Sequence, residues 1–223
     1  VPRSGPREET VYVLPMLGAG GGQPGNIVSA LRDSETYNVV TCDPDGTNGE
    51  EGEILDLAGN VEALEADIAA RVAAGERVSL VGHSRGGTEA LAIAARGRVP
   101  IEKCFAIAAL NDARDAENPT FAQTFLLRRY GVGRSEGKRL AAEQAEAFPE
   151  AYADPGVTTE FYLVHGKYDQ TVPFRHFEEN SADLPVRETL VSETAVIPHL
   201  KVAYEEETVD FILSRLAGQK NGG

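Results

Sequence analysis

Ser84 lies in a pattern that could project a serine hydroxyl towards a base. Residues 77–87 read RVSLVGHSRGG, and the helix-forming run TEALAIAARG follows them. A sharp turn between a buried strand and a helix presents a serine in this way, and it needs little side-chain bulk two residues on either side. Gly82 and Gly86 meet that need. The pattern predicts a nucleophilic serine; the alternative is an ordinary strand-to-helix turn that happens to contain Ser84.

Two later loops could supply the base and the acid that activate such a serine. The hydroxyl needs an imidazole to take its proton, and the imidazole needs an acid to fix its tautomer. Asp169 follows the apolar run TEFYLV within HGKYDQTVP, and His199 follows the next apolar run within AVIPHL. The order nucleophile, acid, base along the chain favours Ser84, Asp169 and His199. Asp112, which follows the run KCFAIAAL, is the alternative acid.

The other three histidines are predicted to have supporting positions. His83 precedes the serine, but consecutive residues of a tight turn point apart, so we expect it to be packed within the turn. His165 ends a predicted strand, where we expect it to bond locally and hold the loop of Asp169. His176 falls in a predicted helix and is expected at the surface.

Strand and helix patterns alternate along most of the chain. Six apolar runs are typical of strands: 11–14, 37–42, 77–82, 103–110, 159–166 and 186–193. Helical patterns lie between or after them, notably near 57–74, 174–181 and 202–217. This alternation predicts an α/β fold with a doubly wound, mostly parallel sheet of about six strands and helices on both faces.

Residues 111–155 interrupt the alternation. They hold two helical patterns and no strand, and the first pattern places Phe121 and Phe125 one turn apart beside Leu126. A crossover between parallel strands needs only about a dozen residues. We therefore expect a small helical cap in which Phe121, Phe125 and Leu126 line the substrate-binding wall; the alternative is a crossover that only covers the sheet. The pattern of the whole chain predicts a single domain over 11–217, with flexible tails at 1–10 and 218–223.

The composition limits the classes of molecule that the chain is expected to bind. The 223 residues are 42% hydrophobic and 25% charged, as in an ordinary globular domain. The net charge of −14 argues against nucleic acid or an anionic membrane as a partner. Neither a membrane span nor a signal-peptide core is found, so a cytoplasmic location is expected. Cys42 and Cys104 make no disulfide framework and no metal site, and the predicted sheet places two other strands between theirs.

The chain resembles the α/β-hydrolase family at GHSRGG, at HGKYDQTVP and at the late histidine. The resemblance runs from Val11 to Leu216, and the second motif is similar to that of the carboxylesterase and dienelactone-hydrolase-like branches. It implies the α/β-hydrolase fold with a nucleophile elbow and a Ser84–His199–Asp169 triad. It also implies a small-molecule ester or acyl substrate, with neither a cofactor nor a metal ion.

An oxyanion hole is part of the same expectation, because a tetrahedral oxyanion needs two preorganised N–H donors. One donor is the amide of Arg85, which follows the serine. The family register puts the other at Leu17, with Met16 as the next choice, although Pro15-Met16 stands where His-Gly is common. Met16 is also a candidate for the wall of the substrate pocket.

The expected reaction is hydrolysis of a carboxylic ester through an acyl-enzyme intermediate. A thioesterase or an acyltransferase would use the same triad, since only the leaving group or the acceptor differs. The third alternative, from another class, is a binding protein that keeps the fold without catalysis.

Overall fold

Six strands form one sheet in which every neighbouring pair is parallel. The computed structural model describes residues 9–16, 24–42, 57–111 and 156–218. The strands are β1 Glu9–Leu14, β2 Asn38–Thr41, β3 Arg77–His83, β4 Lys103–Ile107, β5 Glu160–Gly166 and β6 Val186–Ser192. Their order across the sheet is β2-β1-β3-β4-β5-β6. The predicted parallel sheet of about six strands is confirmed.

Helices cover both faces of the sheet. They are α1 Gly25–Asp33, α2 Leu57–Ala73, α3 Arg85–Arg96, α4 Arg175–Asp183, α5 Pro198–Lys201 and α6 Glu206–Leu216. Side chains alternate along β1, so that Tyr12 and Leu14 face the core under α2 and α3. Val11 and Val13 face the core under α1 and α6. The inner strands are buried on both faces and therefore read as continuous apolar runs.

The last predicted helix is divided into two elements. Where one helix was expected near 202–217, the chain forms a 3₁₀ turn at Val202–Tyr204 and then α6, and the short helix α5 precedes them. Glu205 separates the last two because its backbone is extended, with φ −70° and ψ 140°. The terminal helix itself is confirmed over Glu206–Leu216, but the prediction placed its start too early and overlooked the short α5, which carries His199.

Cys42 directly follows β2 and Cys104 lies in β4, and these two strands are not neighbours. β1 and β3 lie between β2 and β4, as predicted, and the two cysteines do not form a disulfide. Burial raises the pKa of Cys42 to about 12 and raises that of Cys104 as well. Both thiols therefore remain protonated and poorly nucleophilic near neutral pH.

The turn from β3 to α3 brings main-chain segments unusually close together. A Cβ added at Gly82 would lie 2.1 Å from the carbonyl oxygen of Gly86. A Cβ at Gly86 would lie 2.4 Å from the carbonyl oxygen of Leu14, at the end of β1. The two glycines of the sequence pattern are therefore required by close approach of the backbone.

Replacement of Gly86 by alanine is expected to destabilise the fold, because the new Cβ would collide with main-chain atoms that cannot rotate away. We expect the free energy of unfolding to fall by more than about 2 kcal/mol. Gly25→Ala is the matched control, since in the described part of the chain nothing lies within 4 Å of its added Cβ. Urea unfolding measures both variants, and equal stabilities would contradict the close approach.

Candidate active site

Ser84 occupies a strained backbone position between β3 and α3. Its φ of 57° and ψ of −117° lie outside the regions that non-glycine residues favour. Its N–H donates to the carbonyl oxygen of Ile107 at 2.7 Å, which ties the turn to the end of β4. Strain of this kind persists only where surrounding contacts enforce it, and it is concentrated at functional sites.

His199 connects Ser84 to a carboxylate. Its Nε2 lies 2.9 Å from Ser84 Oγ, and its Nδ1 lies 2.7 Å from Asp169 Oδ2. With the ring proton on Nδ1 donated to the carboxylate, Nε2 is free to accept the serine hydroxyl proton. The three residues follow β3, β5 and β6 in the chain, and the structure brings all three together at the carboxyl edge of the sheet.

Asp169 is buried and fixed on both of its oxygens. Oδ1 accepts hydrogen bonds from the N–H groups of Thr171 at 2.8 Å and Val172 at 3.0 Å, while Oδ2 faces His199. Burial raises the pKa of Asp169, but the hydrogen bond and charge of His199 together with the Val172 N–H outweigh it. The pKa is therefore below its ordinary value, and the carboxylate stays ionised near neutral pH.

His165 holds the acid loop, as the sequence predicted. Its Nε2–H donates to the carbonyl oxygen of Val172 at 2.9 Å. The rings of Phe174 and Phe177 pack against it at 5.8 and 5.9 Å between centroids. Burial lowers the pKa of His165, so the ring is neutral beside Asp169.

His176 is not at the surface, and that prediction is wrong. It is fully buried on α4, where its Nδ1 accepts the N–H of Asn111 at 3.3 Å. The Asn111 side chain donates to Asn180 and Asp183, both at 3.1 Å. His176, Asn180 and Asp183 share one helix face at i, i+4 and i+7, a spacing that could have revealed their common role. They hold the chain as it leaves β4.

His83 is packed within the turn, as predicted. It is 1% exposed, and its Nε2–H donates to the main-chain carbonyl oxygen of His199 at 2.8 Å. This hydrogen bond between the nucleophile turn and the loop of the base was not predicted, because nothing in the local sequence relates residues so far apart.

The start of α3 lies beside the loop after β1. Arg85 is the first residue of α3, and the first amides of a helix have no partner within the helix. The N–H of Gly86 donates to the carbonyl oxygen of Pro15 at 3.1 Å, so Pro15 and the half-buried Met16 are held against the turn. The Arg85 side chain pairs with the buried Glu89 at 2.9 Å. Arg85 and Met16 therefore flank Ser84.

Several predicted site residues lie outside the described residues: Leu17, Asp112, Phe121, Phe125 and Leu126. The second oxyanion amide at Leu17, the alternative acid at Asp112 and the cap over 111–155 with its three apolar residues remain predictions.

The large apolar side chains exposed in the described part of the chain lie close in sequence to Asp169 or His199. They are Tyr168, Val196, Ile197, Leu200 and Tyr204. Ile197 is also strained, with φ 49° and ψ 54°, an unusual conformation for a β-branched residue. Exposed apolar groups beside a polar site are typical of surfaces that contact an apolar ligand.

No group of three or more His, Cys, Asp or Glu side chains in the described segments could hold a metal ion. None of the helices in those segments has the length and apolar character needed to cross a bilayer.

Comparison with known families decides the relationship of the chain. The Alpha/beta hydrolase family matches residues 18–211. The chain belongs to the α/β-hydrolase family. This match confirms the resemblance to the family that the sequence motifs indicated. A search of curated protein sequences found no match.

Solved structures with the same fold are similar over nearly the whole chain. A lipase–esterase related protein from Clostridium acetobutylicum ATCC 824 has TM-score 0.67 at 14% identity, covering 93% of this chain and 94% of that one. The mouse α/β-hydrolase domain-containing protein 10 has TM-score 0.67 at 15% identity, covering 93% and 88%. Est1E from Butyrivibrio proteoclasticus, solved with ferulic acid, has TM-score 0.65 at 16% identity, covering 97% and 93%. At such low sequence identities, these similarities show that the fold is shared and carry no information on activity.

Acid is expected to destabilise the protein through its buried histidines. Burial, with the neighbouring His199 second, lowers the pKa of His83 to about 3, whereas an unfolded histidine titrates near pH 6.5. Between these values the unfolded chain binds more protons, so stability is present above about pH 6.5 and lost as the pH falls towards 3.

For His83 alone, the free energy of unfolding should fall by roughly 3 kcal/mol between about pH 7.5 and about pH 4. Urea unfolding of the wild type and of His83→Gln at both pH values measures this contribution. Between the two pH values, the free energy of unfolding should fall by roughly 3 kcal/mol less in the variant than in the wild type. Equal falls would contradict the low pKa of His83.

Proposed function

We propose that this α/β hydrolase is a serine hydrolase of carboxylic esters that forms an acyl-enzyme on Ser84. The observation that carries the proposal is the continuous hydrogen-bonded series from Ser84 Oγ through His199 to Asp169, at 2.9 and 2.7 Å. Hydrogen bonds of this length between nucleophile, base and orienting acid are the geometric requirement for an activated serine.

In the acylation step, His199 Nε2 takes the hydroxyl proton as Ser84 Oγ bonds to the ester carbonyl carbon. The resulting imidazolium lies against ionised Asp169, which stabilises it and keeps its orientation. The carbonyl oxygen, now negative, accepts hydrogen bonds from the Arg85 amide and from an amide of the loop after β1, at Leu17 or Met16. The carbonyl re-forms, and the departing alkoxide takes the proton from His199 Nε2.

Deacylation repeats the same proton path with water. His199 Nε2 removes a proton from a water molecule, whose oxygen attacks the acyl carbon. When the tetrahedral intermediate collapses, Ser84 Oγ leaves and takes the proton back from Nε2. The carboxylic acid is released, and the side chains return to their starting state without any cofactor.

Two features support an ester with an apolar group as the substrate. The exposed side chains of Val196, Ile197 and Leu200 adjoin the base, and Phe121, Phe125 and Leu126 are predicted to face the same site. Similar structures include proteins named as esterases, from Rhodothermus marinus and Pyrococcus furiosus. A thioesterase or an acyltransferase would use the same three side chains, and no contact among the described residues favours either of them.

Ser84→Ala is expected to lower kcat/KM on a p-nitrophenyl ester by at least about 1,000-fold, because no other group can form the acyl-enzyme. The same variant should not react with a fluorophosphonate probe that labels the wild type. Ser214→Ala, a change on the exposed face of α6, is the control and should keep full activity. Full activity of the Ser84 variant would refute the proposal.

Activity should rise with acyl length from acetate to butyrate. Each buried CH₂ contributes about 0.8 kcal/mol, which corresponds to roughly a fourfold gain in kcat/KM. Ile197→Asn should weaken this gain while keeping the backbone, since asparagine tolerates a positive φ. A p-nitrophenyl ester series measures both effects, and a strong preference for acetate in the wild type would contradict an apolar subsite.

A further inference from the structure

His83 occupies a position between the nucleophile and the base. It is the last residue of β3 and immediately precedes Ser84, yet its side chain points away from the serine, towards α5. Its Nε2–H donates to the carbonyl oxygen of His199 at 2.8 Å, and the two rings are 5.3 Å apart between centroids. One side chain therefore joins the residue before the nucleophile to the main chain of the base.

The two hydrogen bonds of the His199 ring cannot hold the main chain of α5 in place throughout a reaction. The hydrogen bond between His199 Nε2 and Ser84 Oγ must break and re-form in each proton transfer. The bond to Asp169 restrains the end of the ring and leaves the main chain unrestrained. By contrast, the bond from His83 to the main-chain carbonyl oxygen involves no group that changes protonation.

Strand β5 also contacts the start of α5. A Cβ added at Gly166 would lie 3.1 Å from Cβ of Pro198, so β5 approaches the start of α5 closely. The N–H groups of Leu200 and Lys201 both donate to the carbonyl oxygen of Ile197. We call these two contacts with residues 197–201, from β5 and from the nucleophile turn through His83, the clamp.

His83 can also do this without disturbing the charge of the site. Burial, followed by the proximity of His199, keeps its pKa far below neutrality, so it stays neutral when His199 becomes an imidazolium. The titratable groups that act on it are His199, Asp169 and His165. A neutral ring has one N–H, and the carbonyl acceptor fixes that proton on Nε2.

We propose that His83 is a positioning residue, which holds the main chain of His199 so that Nε2 stays within reach of Ser84 Oγ during turnover. The inference rests on the proposed function, and it assigns to this side chain a role distinct from the triad. A displacement of about 1 Å at a reacting pair can reduce the rate up to about 100-fold, so a bond that prevents such a displacement should be visible in kcat.

Three substitutions at one position separate the hydrogen bond from simple packing. In His83→Gln, the side-chain N–H group is as many bonds from Cβ as Nε2 of histidine, so it can still reach the carbonyl oxygen. His83→Asn places its N–H one bond too short, and His83→Leu fills space without a donor. Thermal unfolding identifies any variant that fails to fold; if the leucine variant does so, the glutamine and asparagine pair carries the comparison.

We expect kcat on a p-nitrophenyl ester to fall about 10-fold or more in the leucine and asparagine variants, with KM little changed. The glutamine variant should stay within about threefold of the wild type and keep its pH profile, because the base itself is unaltered. Wild-type kcat in the leucine and asparagine variants would overturn the proposal. A glutamine variant as impaired as the leucine variant would overturn it too.

Hydrogen exchange gives a readout that does not depend on the proposed reaction. Amides of residues 199–204 should exchange faster in the leucine variant than in the wild type, and the glutamine variant should restore their protection. Unchanged protection in the leucine variant would overturn the clamp even if kcat fell. If wild-type protein showed this protection pattern but no reaction at Ser84, the proposed function would fail and the clamp would stand.

Discussion

Main-chain crowding at the turn from β3 to α3 is the constraint on which the site depends. Gly82 and Gly86 let the backbone fold back on itself and on the end of β1, and Ser84 between them is driven to a positive φ. A conformation of this kind costs about 1–3 kcal/mol. Burial of β3 and of most of α3 in the core offsets that cost. The serine hydroxyl is therefore fixed before any substrate binds.

The rest of the site consists of restrained loops that meet this fixed hydroxyl. The Asp169 carboxylate accepts hydrogen bonds from two main-chain N–H groups. His165 restrains the same loop by donating to the carbonyl oxygen of Val172. His199 is held by Asp169 through its ring and by His83 through its main chain. Because His83 and His165 are buried and neutral, the ionised Asp169 is the charge that faces the base in this cluster.

Local patterns in the sequence predicted the features that have local causes. The continuous apolar strands predicted the sheet, and Gly82, Ser84 and Gly86 predicted the turn, because both depend on neighbouring residues. The meeting of Ser84, Asp169 and His199 followed from strand ends that share one edge. The contacts of His83 and His176 could not be read in this way, since their partners at His199 and Asn111 are distant in the chain.

The most direct test of this account is to trap the covalent intermediate that it requires. Wild-type protein is mixed with a slowly deacylating p-nitrophenyl ester, quenched in acid during turnover, and digested for peptide mass spectrometry. The account predicts one acyl group per active site on the peptide that contains Ser84, formed in a burst that precedes steady-state release of acid. Steady turnover with an unmodified Ser84 peptide, or with the acyl group on another residue, would contradict it.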